Sequence, residues 1–160
     1  MKNFPDGKGW FIWQMKWIAS SNPIEAARRA KSQGIKWIAL KIHDGVSDYN
    51  LRQMTFMGVP IPGAYVDDLI QPFIDAMDAQ GIEVYGWGYI YLANAKAEAN
   101  KALARMTKFP KLKGYIVDAE KEWFGKANEA KAFMETLRAG LPDISIGFCS
   151  YRFPSAQSPT

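Results

Sequence analysis

The chain has 160 residues, 48% of them hydrophobic and 22% charged, which suits one domain with a real core and excludes a disordered segment. Its formal net charge of +4 is dispersed rather than gathered into a basic run, which argues against nucleic acid as a partner. A single cysteine rules out an internal disulfide framework, and no stretch is apolar and long enough for a signal peptide or a membrane span, so the expectation is a soluble protein of cytoplasmic synthesis.

Short apolar, aromatic-rich runs alternate with amphipathic helical patterns, the signature of βα units and a parallel sheet. The first strand is expected over Gly9 to Trp17. Asn22-Pro23-Ile24-Glu25 supplies an N-cap, a proline at the first helical position and an acid in the first turn, so a helix starts there and stops at Gly34. The second strand, Ile35 to His43, puts Ile38, Leu40 and Ile42 on one face and Trp37, Ala39, Lys41 and His43 on the other. A long loop from Asp44 to about Gly63 follows. The next helix carries Val66, Leu69, Ile70, Phe73, Ile74 and Met77 at helical spacing and ends at Gly81, with Pro72 kinking it or shifting its start.

Ile82 to Tyr91 reads as the third strand, and its helix carries Ala95, Ala99, Ala102, Leu103 and Met106 before Pro110. The fourth strand is Gly114 to Glu120. A helix capped near Asn128 then buries Ala130, Phe133, Met134 and Leu137 and closes at Gly140. The fifth strand, Ile144 to Tyr151, makes Cys149 a packed core thiol. The fold class is therefore α/β, a parallel, TIM-like (β/α) barrel over residues 1–153 with a polar tail at 154–160. About five strands fall short of the eight of a complete barrel, so the expectation is a fragment, or a half-barrel completed by a C-terminal segment or by self-association. A self-sufficient, open doubly wound sheet is the other architecture.

In either architecture ligands bind at the carboxyl ends of the strands. There, alternation turns Tyr115, Val117 and Ala119 toward the helices and Ile116, Asp118 and Glu120 toward the mouth. The two acids have α-carbons roughly 6 to 7 Å apart, close enough for each charge to raise the other's proton affinity. One can stay protonated as a general acid while the other stays ionised, the division that glycoside hydrolysis uses. The alternative is a pair of solvated residues at a strand end, Asp118 capping the next turn.

Neighbouring strand ends bring Trp13, Lys41, His43, Trp87, Tyr89, Tyr91, Trp123, Tyr151 and Arg152 to the same mouth. Aromatic faces stack on sugar rings and their polar edges bond hydroxyls, which suits a carbohydrate cleft, although each ring taken singly is more often core or barrel filling. Lys41 is a counter-ion for one carboxylate or half of a structural salt bridge. The only histidine, His43, excludes a multi-histidine metal site and leaves just a divalent ion shared with Asp118 and Glu120; no metal or cofactor is expected. Walker, dinucleotide and serine-elbow motifs are absent.

With Asp118-Ala119-Glu120 at the end of strand four, the chain resembles the lysozyme-like β/α-barrel glycoside hydrolases, most closely the family 25 muramidases. The likeness also rests on Trp13-Gln14, on Lys41 followed by His43-Asp44-Gly45, and on Gly86-Trp87-Gly88-Tyr89. It implies that Glu120 is the general acid, that Asp118 stabilises the acetamido group or the developing positive charge, and that the substrate is the peptidoglycan glycan strand, in a phage- or cell-wall-associated setting. The chain departs from the family in Trp10-Phe11-Ile12-Trp13, which lacks the aspartate usual on the first strand. A non-catalytic carbohydrate-binding or structural module is the competing expectation.

Overall fold

The computed structural model of the protein describes residues 5–150. Strand β1 (Gly9–Ile12) is shorter than expected, because residues Met15–Trp17 and Ala19–Ser21 turn into two short 3-10 segments. Helix α1 (Pro23–Ser32) begins where the cap signal places it, with the Asn22 side chain accepting from the Glu25 N–H at 3.0 Å. Gly34, at φ +70, then turns the chain into β2 (Trp37–Asp44).

The expected loop after β2 is a correction. It contains β3 (Ser47–Asp48), hooked antiparallel onto β2, and a separate hairpin of β4 (Arg52–Phe56) and β5 (Val59–Val66). Met57 and Gly58 form its two-residue turn, both with positive φ, the conformation that matches the twist of flanking strands. Pro60 and Pro62 are tolerated because β5 is paired on one side only. Val66 consequently belongs to the hairpin, and helix α2 (Ile70–Asp78) starts after it. Pro72 is its third residue, where the missing N–H has no intrahelical partner anyway, so it shifts the start and does not kink the helix.

Strand β6 (Glu83–Tyr89) leads to α3 (Ala95–Lys108), and β7 (Gly114–Asp118) to α4 (Ala127–Gly140) and β8 (Ser145–Cys149). The expected cap at Asn128 is not made: α4 starts at Ala127 with Lys126 in the cap position and no side-chain bond. The buried Glu98 carboxylate organises the β6–α3 turn, accepting from the backbone N–H of Tyr91, Leu92, Ala93 and Asn94 at 2.7 to 3.3 Å.

The main sheet runs β1-β2-β6-β7-β8, every neighbouring pair parallel and in chain order. All four helices contribute to one core, with Ala27, Phe73, Ala102 and Phe133 packed against Ile38, Leu40, Val84 and Val117. The opposite face carries a smaller cluster of Ala39, Tyr85, Trp87 and Ile116, and no helix among the described residues contributes to it. A doubly wound sheet reverses its strand order and covers both faces, so that alternative is corrected: the topology is singly wound, as in a β/α barrel, with β1 and β8 at the ends of an open path. No helix among the described residues is long and apolar enough to cross a membrane.

Candidate active site

Alternation along β7 sends Tyr115 and Val117 into the helix-side core and Ile116 into the opposite cluster. Continued past the strand, it brings Asp118 and Glu120 to the carboxyl end of that second face. There they line a cleft of about 330 Å3 with Trp13, Lys41, Asp44, Trp87, Tyr89 and Tyr91. Gly86 and Gly88 alternate with Trp87 and Tyr89 on β6, so the aromatics fall on the cleft side while the helix side stays clear for Ile42 and His43.

Lys41 is 3% exposed, its ammonium 2.7 Å from Asp44 Oδ2 and 4.5 and 5.0 Å from the rings of Tyr49 and Trp87. Its direct partner is thus Asp44, and it reaches Asp118 only through space, as an influence that lowers that carboxyl's pKa. Burial outweighs this and raises the Asp118 carboxyl, helped by the nearby charges of Glu120 and Glu122. Cys149 Sγ lies 3.4 Å from Asp118 Oδ1, and burial together with that carboxylate pushes the thiol up to about 12, so it stays protonated and donates. Cys149, expected as a packed core thiol, does pack against the cleft-side cluster but is only half-buried there.

The Tyr89 hydroxyl lies 2.6 Å from Glu122 Oε2 and 3.3 Å from Glu120 Oε2. Burial and these carboxylates hold it protonated far above the ordinary tyrosine value, and its one proton serves one carboxylate at a time. The Asp44 carboxylate beside Tyr91 and partial burial raise that phenol to about 12. The two tyrosine rings pack 4.8 Å apart at a tilt.

Two expected site residues face the other way. Along β2, Lys41 pairs with Trp87 but His43 pairs with Gly88, an extra residue that reverses the alternation. His43 is therefore fully buried on the helix side, its Nδ1 2.9 Å from the Gly45 carbonyl and its Nε2 2.5 Å from the Tyr115 hydroxyl. The bulge also frees the Ile42 carbonyl, which accepts from the buried Arg105 guanidinium at 2.8 Å. With His43 and Asp118 on opposite faces, the proposed divalent-ion trio is not assembled, and no cluster of three or more potential ligands occurs among the described residues. Trp123 is the second correction: its indole donates to Ile90 O at 3.0 Å and packs edge-on to Phe133 and Phe148, under α4. Tyr151 and Arg152 lie outside the described residues.

Asp44, Glu122 and Cys149, which border the acid pair or line its cleft, were not expected as site residues from sequence. Glu122 carried a signal, since Asp118, Glu120 and Glu122 continue one period-two series. Asp44 did not, because its place in the cleft depends on the bulge.

Solved structures that share this fold include glycoside hydrolases, at low sequence identity. Among solved structures, the chain is similar to the catalytic domain of an endolysin from a bacteriophage of Listeria monocytogenes, with a TM-score of 0.59 and 14% identity over 89% of this chain and 62% of that one. It is similar to a family 25 glycosyl hydrolase of Streptococcus pneumoniae, a virulence factor, with a TM-score of 0.59 and 16% identity over 92% and 60% of the two chains. An α-L-fucosidase of family 29 from Bacteroides thetaiotaomicron gives a TM-score of 0.57 and 14% identity over 78% and 33%. The chain thus spans less than two thirds of the length of each. No family model and no curated protein matches it.

Proposed function

We propose that the cleft hydrolyses glycosidic bonds of an amino-sugar glycan, with peptidoglycan as the substrate class. Glu120 delivers a proton to the departing glycosidic oxygen, Asp118 faces the positive charge that develops at the anomeric carbon, and water supplies the new hydroxyl. The observation that carries this reading is that both acids open on one cleft walled by Trp13, Trp87, Tyr89 and Tyr91. The rings offer stacking surfaces to sugars, and with Lys41 engaged by Asp44, neither acid of the pair has a direct cationic partner among the described residues.

The division of roles follows the resemblance, and one electrostatic bias runs against it: burial raises the Asp118 carboxyl and favours a proton there. An aryl glycoside with an activated leaving group decides the matter, since its departure needs no proton donor. The expected outcome is that Glu120→Gln loses about 10²- to 10⁴-fold on the natural glycan but keeps turnover of the activated substrate, whereas Asp118→Asn loses both. The opposite pattern exchanges the two roles, and full glycan turnover in both variants removes the pair from the mechanism.

A glycan-binding module without turnover is the second reading, favoured by β1, whose residues Gly-Trp-Phe-Ile bring no carboxylate to the cleft. Binding weakened by Trp13→Ala, with no bond cleavage by the unaltered protein, would establish it.

A further inference from the structure

A second cavity, about 430 Å3 and larger than the cleft, lies on the far side of Tyr49. Tyr49 lines this cavity and adjoins the cleft through Lys41: its ring stands 4.5 Å from the Lys41 ammonium, which itself lies 5.9 Å from the Trp13 ring in the cleft. Gln14 fixes the wall from both sides. Its amide nitrogen donates to the Tyr49 hydroxyl at 3.2 Å, and its amide oxygen accepts from the Trp17 indole at 2.7 Å. Since Tyr49 accepts that bond, its own proton remains to be donated to a ligand. The opposite wall is Tyr65, at the end of the β4–β5 hairpin, over Leu69.

The surroundings define the ligand's chemistry. Trp13 in the cleft, Tyr65 in the cavity and Trp17, bonded to the cavity residue Gln14, are 58%, 54% and 74% exposed, so each presents a large ring to solvent. Trp17 is held by Gln14 and by Lys16, whose ammonium sits 5.0 Å over its ring, so the stacking surface is positioned in advance. Asp48, the acid in the lining, is already paired with Lys101 and Arg105. Flat apolar faces, amide and hydroxyl edges, a paired carboxylate and the Lys16 ammonium, held over the Trp17 ring, fit a polyhydroxylated ring.

We propose that this cavity is a second saccharide subsite, which takes sugar units of the same glycan chain beyond those held in the cleft. The inference rests on the reading of the cleft as a glycan site and extends it to substrate length: the protein prefers long chains to short ones.

The test is calorimetric binding of β-1,4-linked N-acetylglucosamine oligomers, from dimer to hexamer, to the full chain carrying Glu120→Gln to stop turnover. Affinity rises about tenfold or more across the series; adding Tyr65→Ala costs the hexamer about tenfold and the dimer less than about twofold, while Tyr65→Phe keeps the rise. Trp13→Ala weakens every length. A flat series, or a rise indifferent to Tyr65→Ala, overturns the subsite while Trp13-sensitive binding leaves the cleft reading intact. No binding of any oligomer overturns both.

Discussion

His43 illustrates how one residue's surroundings decide its chemistry. Burial, only partly offset by its bond to the Gly45 carbonyl, lowers its pKa from 6.5 to about 4. Because Gly45 offers a carbonyl, Nδ1 carries the proton and Nε2 accepts from Tyr115, an arrangement that a second ring proton would break. As pH falls below 6.5 the unfolded chain takes up this proton before the folded one, so stability is full above that value and declines toward pH 4. The loss reaches about 3 kcal/mol. The Asp118 carboxyl, raised in the fold, contributes with the opposite sign, and carboxyls lowered by ion pairs, such as Asp67 and Asp75, act only near and below the ordinary carboxylate range. Urea denaturation between pH 7 and pH 4.5 should therefore show falling stability in the parent and a flatter profile in His43→Gln. Equal slopes in both would mean that His43 titrates as it does in water. At this scale alternation along β6 and β7, which pair without a register shift, brings Asp118, Trp87 and Tyr89 to one cleft, with Glu120 and Tyr91 just past the strand ends. It misplaced His43 because parity fails after an inserted residue, and nothing in Lys41-Ile42-His43-Asp44 announces the insertion.

Among the elements, β2 and β6 are built around that bulge. A Cβ at Gly88 would lie 2.1 Å from His43 Nε2 and 2.4 Å from its Cε1, so the bare backbone of β6 is what admits the inward ring. Gly88→Ala should destabilise by about 2 to 3 kcal/mol through overpacking. Combined with His43→Ala, which empties the same space, the alanine should cost far less, giving a coupling energy of about 1 kcal/mol or more in a double-mutant cycle from denaturant midpoints. Additive costs would show that the two positions do not compete for one volume. The helices were readable because their caps and periodicities are local, as at Asn22. The hairpin was not, since Met57-Gly58 lacks the usual Asn-Gly or Asp-Gly signal and Pro60 and Pro62 read as loop. Trp123 was misassigned because the chain past β7 turns through Lys121–Trp123 and returns the indole to the helix layer.

The whole molecule separates two jobs by sheet face. One face, packed by all four helices, holds the structure; the other carries few buried groups and ends in the acid-lined cleft. That division follows from five parallel strands in sequential order, and it was legible from the alternation of strand and helix patterns. The full set of side chains that meet at the cleft required tertiary structure, because the place of Asp44 depends on the bulge. The measurement closest to the central claim is the release of reducing ends from purified peptidoglycan or N-acetylglucosamine polymers by the unaltered protein and by Glu120→Gln at equal concentration. The account predicts measurable release that falls about 10²- to 10⁴-fold in the variant. Equal rates in the two proteins, or no release by either, would contradict it.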